Sequence, residues 1–312
     1  MNNAPTTEDR IWAVISHLSS LAFGMGILLP IIGWSDQRRK SNYASFQCLQ
    51  ALGYQSLGYT VWILSALAVI LLSSVILLAV SGFTGLGSPN MDMVLGPWTI
   101  VSVIVMFGFF ALYFLLPIIA AVACAFGRDF HYPILGDRLV RYLGYDPAHT
   151  AEEQTRLVED REFRWVAGMG HFSILIMLWG MLAPLTAGIL YGKRSTFLKF
   201  QSIQTLVFQA GVTILYMGAG FLYLFAFLLL VAVTGSAGEP NLNSSMGTSG
   251  IVILGVSFLI SFVIVLLIPI LHILGQWAGY RVLKGDDYRY PLIGRIVDEW
   301  ISRKSAIEEK PA

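Results

Sequence analysis

The feature that most constrains this chain is an internal duplication written in membrane-type sequence. Displaced by 154 residues, positions 10–59 lie on 164–213 without a gap, and fourteen of the fifty pairs are identical. His17-Leu18-Ser19 falls on His171-Phe172-Ser173, Pro30 on Pro184, and Phe46-Gln47-Cys48-Leu49-Gln50 on Phe200-Gln201-Ser202-Ile203-Gln204. Apolar bias alone pairs Leu with Leu. It does not bring three Gln, a His, a Pro and an Arg into register. A fixed period marks a repeated structural unit, so the chain reads as a first membrane repeat (1–145), a charged linker (146–163) and a second membrane repeat (164–312).

Residues 94–126, 201–236 and 249–280 are free of charge, longer than the roughly 20 residues a helix needs to cross a bilayer. With 56% hydrophobic and 12% charged residues, a water-soluble fold is excluded and an all-α polytopic integral membrane protein is expected, three hydrophobic segments to each half. A net charge of +1 gives no general affinity for nucleic acid. The first ten residues hold Glu8, Asp9 and one Arg, not the basic start of a signal peptide. Cys48 and Cys124 lie in apolar segments and read as small buried residues, too few for a metal cage.

The middle segments, 43–81 and 197–235, are too long for a simple span. A continuous helix over 43–81 would run about 58 Å at 1.5 Å per residue, so its first third is expected to pack within the protein and only the later part to cross. Loops 82–96 and 236–248 carry no Lys or Arg and read as irregular turns. The basic residues cluster at the Arg38-Arg39-Lys40 loop, the 128–164 region, the Lys193–Lys199 loop and the C-terminal tail. The positive-inside rule places all of these in the cytoplasm. That is possible only if the first segment of each half enters and returns on one side, a re-entrant hairpin for which Gly24, Gly26, Pro30, Gly180, Pro184 and Gly188 supply bends. Three true spans per half, with inverted halves, is the alternative; charge bias favours the hairpin.

Six glutamines form the strongest motif: Gln47, Gln50 and Gln55, then Gln201, Gln204 and Gln209. An amide facing hydrocarbon costs several kcal/mol unless hydrogen-bonded. The stripe is therefore either glue between helices or the lining of a cavity. His17 and His171 read as polar contacts, neutral and bonded to a neighbouring helix, because the adjoining apolar segments hold no carboxylate for a proton relay. Tyr132-Pro133-Ile134-Leu135-Gly136 is echoed by Tyr290-Pro291-Leu292-Ile293-Gly294, and Tyr132, Pro133, Tyr290 and Pro291 read as anchors at the membrane interface. Zinc, phosphate-loop and nucleophile-elbow signatures are absent, leaving interfacial aspartates such as Asp129 or Asp286 as the acidic candidates for chemistry. No enzyme, metal or cofactor is expected.

Arg10-Ile11-Trp12-Ala13, His17-Leu18-Ser19, the basic loop, Gln47-x-x-Gln50 and the Tyr-Pro motif together resemble a family of small bacterial membrane domains related to the Tic-twenty subunit of the chloroplast inner-envelope import machinery. Gln47 and Gln201 stand where that family has His or Asn, which removes a titratable group. The resemblance implies a tandem fusion, a polytopic membrane domain and a part in moving or assembling polypeptides.

The expectation is two halves about a pseudo-two-fold axis, Gln stripes inward, in the bacterial cytoplasmic membrane. Its function would be a non-enzymatic scaffold or translocon-like component. Its partners would be the lipid bilayer and other membrane proteins, or further copies of itself. A small-solute transporter or channel built on the duplication is the alternative.

Overall fold

The computed structural model describes residues 4–84, 89–146, 157–235 and 245–308, in which every regular element is helical. The first half contains α1 (Thr7–Leu18), a 3-10 tip (Ser19–Ile27), α2 (Leu28–Gln37), α3 (Asn42–Thr84), α4 (Pro89–Ala125) and α5 (Leu135–Leu143). The second repeats the order with α6 (Glu159–Phe172), a tip (Ser173–Met181), α7 (Leu182–Tyr191), α8 (Thr196–Gly235), α9 (Ser245–Leu283) and α10 (Ile293–Glu308). Six stretches are long and apolar enough to cross a membrane by length and composition.

The first segment of each half is a hairpin. α1 starts with a capping box in which the Thr6 hydroxyl accepts from the Asp9 amide and the Asp9 carboxylate from the Thr6 amide, satisfying two orphan donors. The chain then reverses at Phe23 (φ 51°, ψ −144°) and, in the second half, at Met177 (φ 53°, ψ −130°). Because of the reversal Glu8, at the start of α1, accepts a bond of 2.7 Å from Gln37, the last residue of α2. A straight helix of 31 residues would hold those ends about 45 Å apart. In the second half the rings of Phe163 and Tyr191 lie 5.7 Å apart in the same way. Gly26 and Gly180 make the turn possible, since a Cβ there would sit 1.7 and 2.0 Å from the carbonyl oxygens of Ser19 and Ser173. The glycines are the ones the sequence offered; the reversal itself falls three residues earlier, on a residue with a side chain.

α3 has 43 residues, about 64 Å of helix, and behaves as two objects. Ala44, Phe46, Leu49, Leu52 and Gln55 are buried against the hairpin, whereas Val61, Leu64, Leu67, Ile70 and Leu71 face outward. An outward apolar surface is what hydrocarbon solvates. α8 divides likewise, with Leu198, Gln201, Gln204, Phe208 and Val212 buried and Ile214, Met217 and Phe221 exposed beyond them. The irregular-turn expectation needs trimming: helix extends to Thr84 and resumes at Pro89. Residues 85–88 and 236–244 lie outside the described residues, as does 147–156 of the linker with Glu152 and Glu153. Glu159, Asp160 and Glu162, read as linker, form the first turn of α6.

The halves do not pack about a two-fold axis. The Trp165 indole of α6 donates to the Leu49 carbonyl of α3 at 2.9 Å, and its ring lies where a Cβ on Gly53 would be 2.5 Å away. The positions equivalent to this pair are Ile11 and Val207, both exposed. A second contact locks the base. Arg38 lies over the rings of Phe163, Tyr191 and Trp34, at 4.5, 5.1 and 5.2 Å, and pairs with Glu162 and Glu159 at 3.0 Å each. Trp34 donates to the other oxygen of Glu162 at 3.0 Å.

Candidate functional site

Each half builds one polar node where its hairpin, its long helix and the loop after its second long helix meet. The period of α3 puts Gln47 and Gln50 on one face, toward α1 and the loop at 129–132. His17 is fully buried, with Nδ1 3.0 Å from the Tyr132 hydroxyl and Nε2 2.9 Å from Gln47 Oε1. Of the two neutral tautomers only Nε2–H satisfies both contacts, because Oε1 cannot donate. Gln47 donates from Nε2 to Asp129 Oδ1 at 2.7 Å and to the Phe130 carbonyl at 3.1 Å. Gln50 donates to the same carbonyl at 2.8 Å and to Gln47 Oε1 at 3.2 Å, and accepts from the Tyr132 amide at 2.9 Å.

The second node copies the first. His171 meets Tyr290 at 2.9 Å and Gln201 at 3.0 Å. Gln201 donates to Asp287 at 2.8 Å and to the Tyr288 carbonyl at 3.1 Å. Gln204 donates to that carbonyl at 2.7 Å and to Gln201 at 2.6 Å, and accepts from the Tyr290 amide at 3.2 Å. One difference is Thr205, which adds a hydroxyl 2.9 Å from His171 Nδ1 where the first half has Ala51.

Gln55 and Gln209 tie down the tips instead. Gln55 donates to Ser19 Oγ at 2.8 Å and to the Ser16 carbonyl at 3.2 Å; Gln209 donates to the Gly170 carbonyl at 2.8 Å and to Ser173 Oγ at 3.3 Å. Their Oε1 atoms are buried without a partner. Each amide of the Gln stripe thus bonds to a loop, a hairpin or a tip of its own half.

Two placements correct the sequence reading. Tyr132 and Tyr290 are not interface anchors: both are 2% exposed and their hydroxyls belong to the nodes. Only Pro133 and Pro291, with Ile134 and Leu292 beside them, face outward. The motif Gly is required because a Cβ on Gly136 would sit 2.7 Å from Gln50 Oε1. Second, a carboxylate does reach each node. It comes from outside the apolar segments, from Asp129 and Asp287 rather than Asp286. The Asp129 side chain is 23% exposed, and burial raises its carboxyl above the ordinary value despite His131, Tyr145 and Gln47, which favour the ionised form. The signal was legible: Asp129-Phe130-His131-Tyr132-Pro133 and Asp287-Tyr288-Arg289-Tyr290-Pro291 repeat the aspartate at a fixed place. The Arg38–Glu162 lock carried no such signal: Glu162 falls on Glu8 in the repeat, but Arg38 falls on Gly192 and has no like counterpart.

His272, a third apolar-segment histidine, is paired locally with Tyr216 at 3.0 Å. Among the described residues no group of three or more His, Cys, Asp or Glu is placed to hold a metal ion. Cys48 and Cys124 are buried free thiols.

A duplicated helical bundle with apolar outer surfaces and polar groups spent on internal clamps defines a multi-pass membrane protein. The sequence profile of the magnetosome magnetite crystal formation protein family matches residues 8–140 and again residues 162–297. The chain belongs to that family and carries its domain twice. This corrects the assignment to Tic-twenty relatives, which rested on short motifs. No curated protein and no solved structure matches the chain.

Proposed function

We propose that this protein is a non-enzymatic scaffold of the bacterial membrane that encloses a growing magnetite crystal, derived from the cytoplasmic membrane and holding other membrane polypeptides in place around it. Two considerations support the reading. The family is named for magnetite crystal formation. The observation that carries the scaffold part is the pair of nodes: His17, Gln47, Gln50 and Asp129, with their counterparts, use their polar atoms on one another and on backbone (Gln47 and Gln201 donate twice each). Groups committed in this way rigidify a fold and leave the outer faces as the part that meets partners. The same commitment disfavours the transporter alternative, because the Gln side chains that would line a path are bonded to loops. Pro133, Ile134, Pro291 and Leu292 then rest at the cytoplasmic boundary of the bilayer.

The test is made in a magnetite-forming host. Removing the chain should change crystal size or number by electron microscopy while total cell iron stays within about twofold. Re-expression should restore the crystals, and a His17→Ala/His171→Ala chain should not. Unchanged crystals after removal would overturn the reading; a matching loss of iron uptake would favour transport.

A further inference from the structure

Beside the tip of the first hairpin, α3 and α4 enclose a cavity of about 120 Å³ lined by Phe23, Tyr59, Trp62, Phe110, Tyr113 and Phe114. Every wall is an aromatic ring. Phe114 packs edge-on against Phe23, Phe110 and Tyr113 at 5.3, 4.9 and 5.1 Å, and Tyr59 edge-on against Tyr113 at 5.4 Å. Gly58 seats the Tyr113 ring, since a Cβ there would lie 2.4 Å from its Cε2. Two donors in this lining are idle: the Tyr113 hydroxyl and the Trp62 indole N–H are buried without a hydrogen-bond partner. The repeat does not call for such a cage. Met177, Val212, Thr213 and Tyr216 stand where the first half has Phe23, Gly58, Tyr59 and Trp62. With Pro117 aligned on Pro269, Val265 and Leu266 replace Tyr113 and Phe114. Both halves fold alike with and without these rings, so the fold itself does not account for them.

We propose that this cavity binds the ring of a lipid-soluble benzoquinone. Three properties of the site select that chemistry. Its volume suits a single six-membered ring, since a cavity of about 150 Å³ takes up benzene. Aromatic faces and edges favour a flat π-system over a rounded acyl chain. The two idle donors lie in an apolar layer, where an unpaired N–H or O–H is costly, and they call for a ligand that accepts without donating. A quinone carbonyl does so; an acyl chain leaves both donors unpaired. Tyr59 lies about 25 Å along α3 from its start at Asn42, and the neighbouring Val61, Leu64 and Phe107 face outward. The site is therefore entered from hydrocarbon, the phase in which such a ligand dissolves. Phe23, 55% exposed, forms the rim, held there by the sparsely populated backbone conformation of the hairpin tip, and the ligand's tail leaves past it into the bilayer. Binding at this site is independent of the scaffold role.

The experiment places the full chain in phosphatidylcholine nanodiscs with an azido-benzoquinone carrying a decyl tail as photolabel. Irradiation should attach label within 59–62 and 110–114, mapped by peptide mass spectrometry. Unlabelled decyl-benzoquinone should displace it saturably, and an equal load of decanoic acid should not. Tyr113→Phe and Trp62→Phe, which remove the donors, should each weaken that competition about five- to tenfold, the worth of one hydrogen bond. Phe114→Trp, which fills the cavity, should abolish the labelling. Label spread over the outward faces, or displaced equally by decanoic acid, would overturn the proposal and leave a crevice for acyl chains. Undiminished competition in both donor variants would overturn it as well. Should a variant fail to fold, the position and displacement of the label on the wild-type chain decide the matter.

Discussion

His17 Nε2 and Gln47 Oε1 lie 2.9 Å apart, and 154 residues later His171 and Gln201 lie 3.0 Å apart in the same arrangement. Each bond joins the hairpin to the long helix it leans on, between side chains that are fully buried. Replacing His17 by Ala strands the Tyr132 hydroxyl and vacates a packed site. The expected loss is about 2–4 kcal/mol, from one unsatisfied buried group plus the deleted ring. Because the two nodes share no partner, His17→Ala and His171→Ala should add. Thermal unfolding in mild detergent reads both; a double variant no worse than either single would mean the nodes are coupled.

The hairpins fix the topology. Single cysteines in place of Arg39 and Lys193, in a chain with Cys48→Ala and Cys124→Ala, should both react with an impermeant maleimide only from the cytoplasmic side. Labelling from opposite faces would show three spans per half and undo the hairpin.

Arg38 and Glu162 have side chains 5% and 3% exposed. Removing one partner of such a pair leaves an uncompensated charge, a loss of about 3–5 kcal/mol. Arg38→Ala should therefore loosen the two halves far more than a double Arg38→Met/Glu162→Leu change. Arg38→Lys should not rescue, since an ammonium does not reproduce the flat guanidinium stacked on three rings. Limited proteolysis of the linker region and unfolding midpoints measure this.

Gly53 receives the Trp165 ring. Gly53→Leu should cost at least about 1–3 kcal/mol by overpacking, and adding Trp165→Ala should recover part of it. No recovery in the double variant would mean the strain arises within α3.

Burial raises the Asp129 carboxyl. A group whose folded value lies above its unfolded one contributes stability that is fully present below the unfolded value, about 3.9, and lost as pH rises through the folded value. The wild type should therefore lose stability relative to Asp129→Asn as pH climbs from about 4 through that window. A difference between their midpoints that does not change with pH would show that the carboxyl keeps its ordinary value.

Much of the architecture was written in the residues. The repeat fixed two like halves, the hydropathy fixed helices in a membrane, and the run of basic loops favoured hairpins over three spans per half, because basic residues concentrate on the cytoplasmic side of a bilayer. Gln47, Gln50, Gln201 and Gln204 had to find partners because an unbonded amide in an apolar setting is costly. The sequence could not choose those partners. Tyr132 looks like an interface residue from its neighbours Pro133 and Ile134, and only the turn after α4 swings its hydroxyl inward onto His17. Asp129 lies beyond the apolar segments and reaches the node because the loop folds back over α3. The packing of the halves was further from view: a duplicated sequence suits a two-fold pair and a head-to-tail pair equally. What decided it was local and unrepeated, a Gly53 that admits Trp165 where the other half has Val207 and Ile11, and an Arg38 caged by rings where the other half has Gly192. Pattern and period set which groups must be buried or bonded; the close approach of particular side chains set which ones meet.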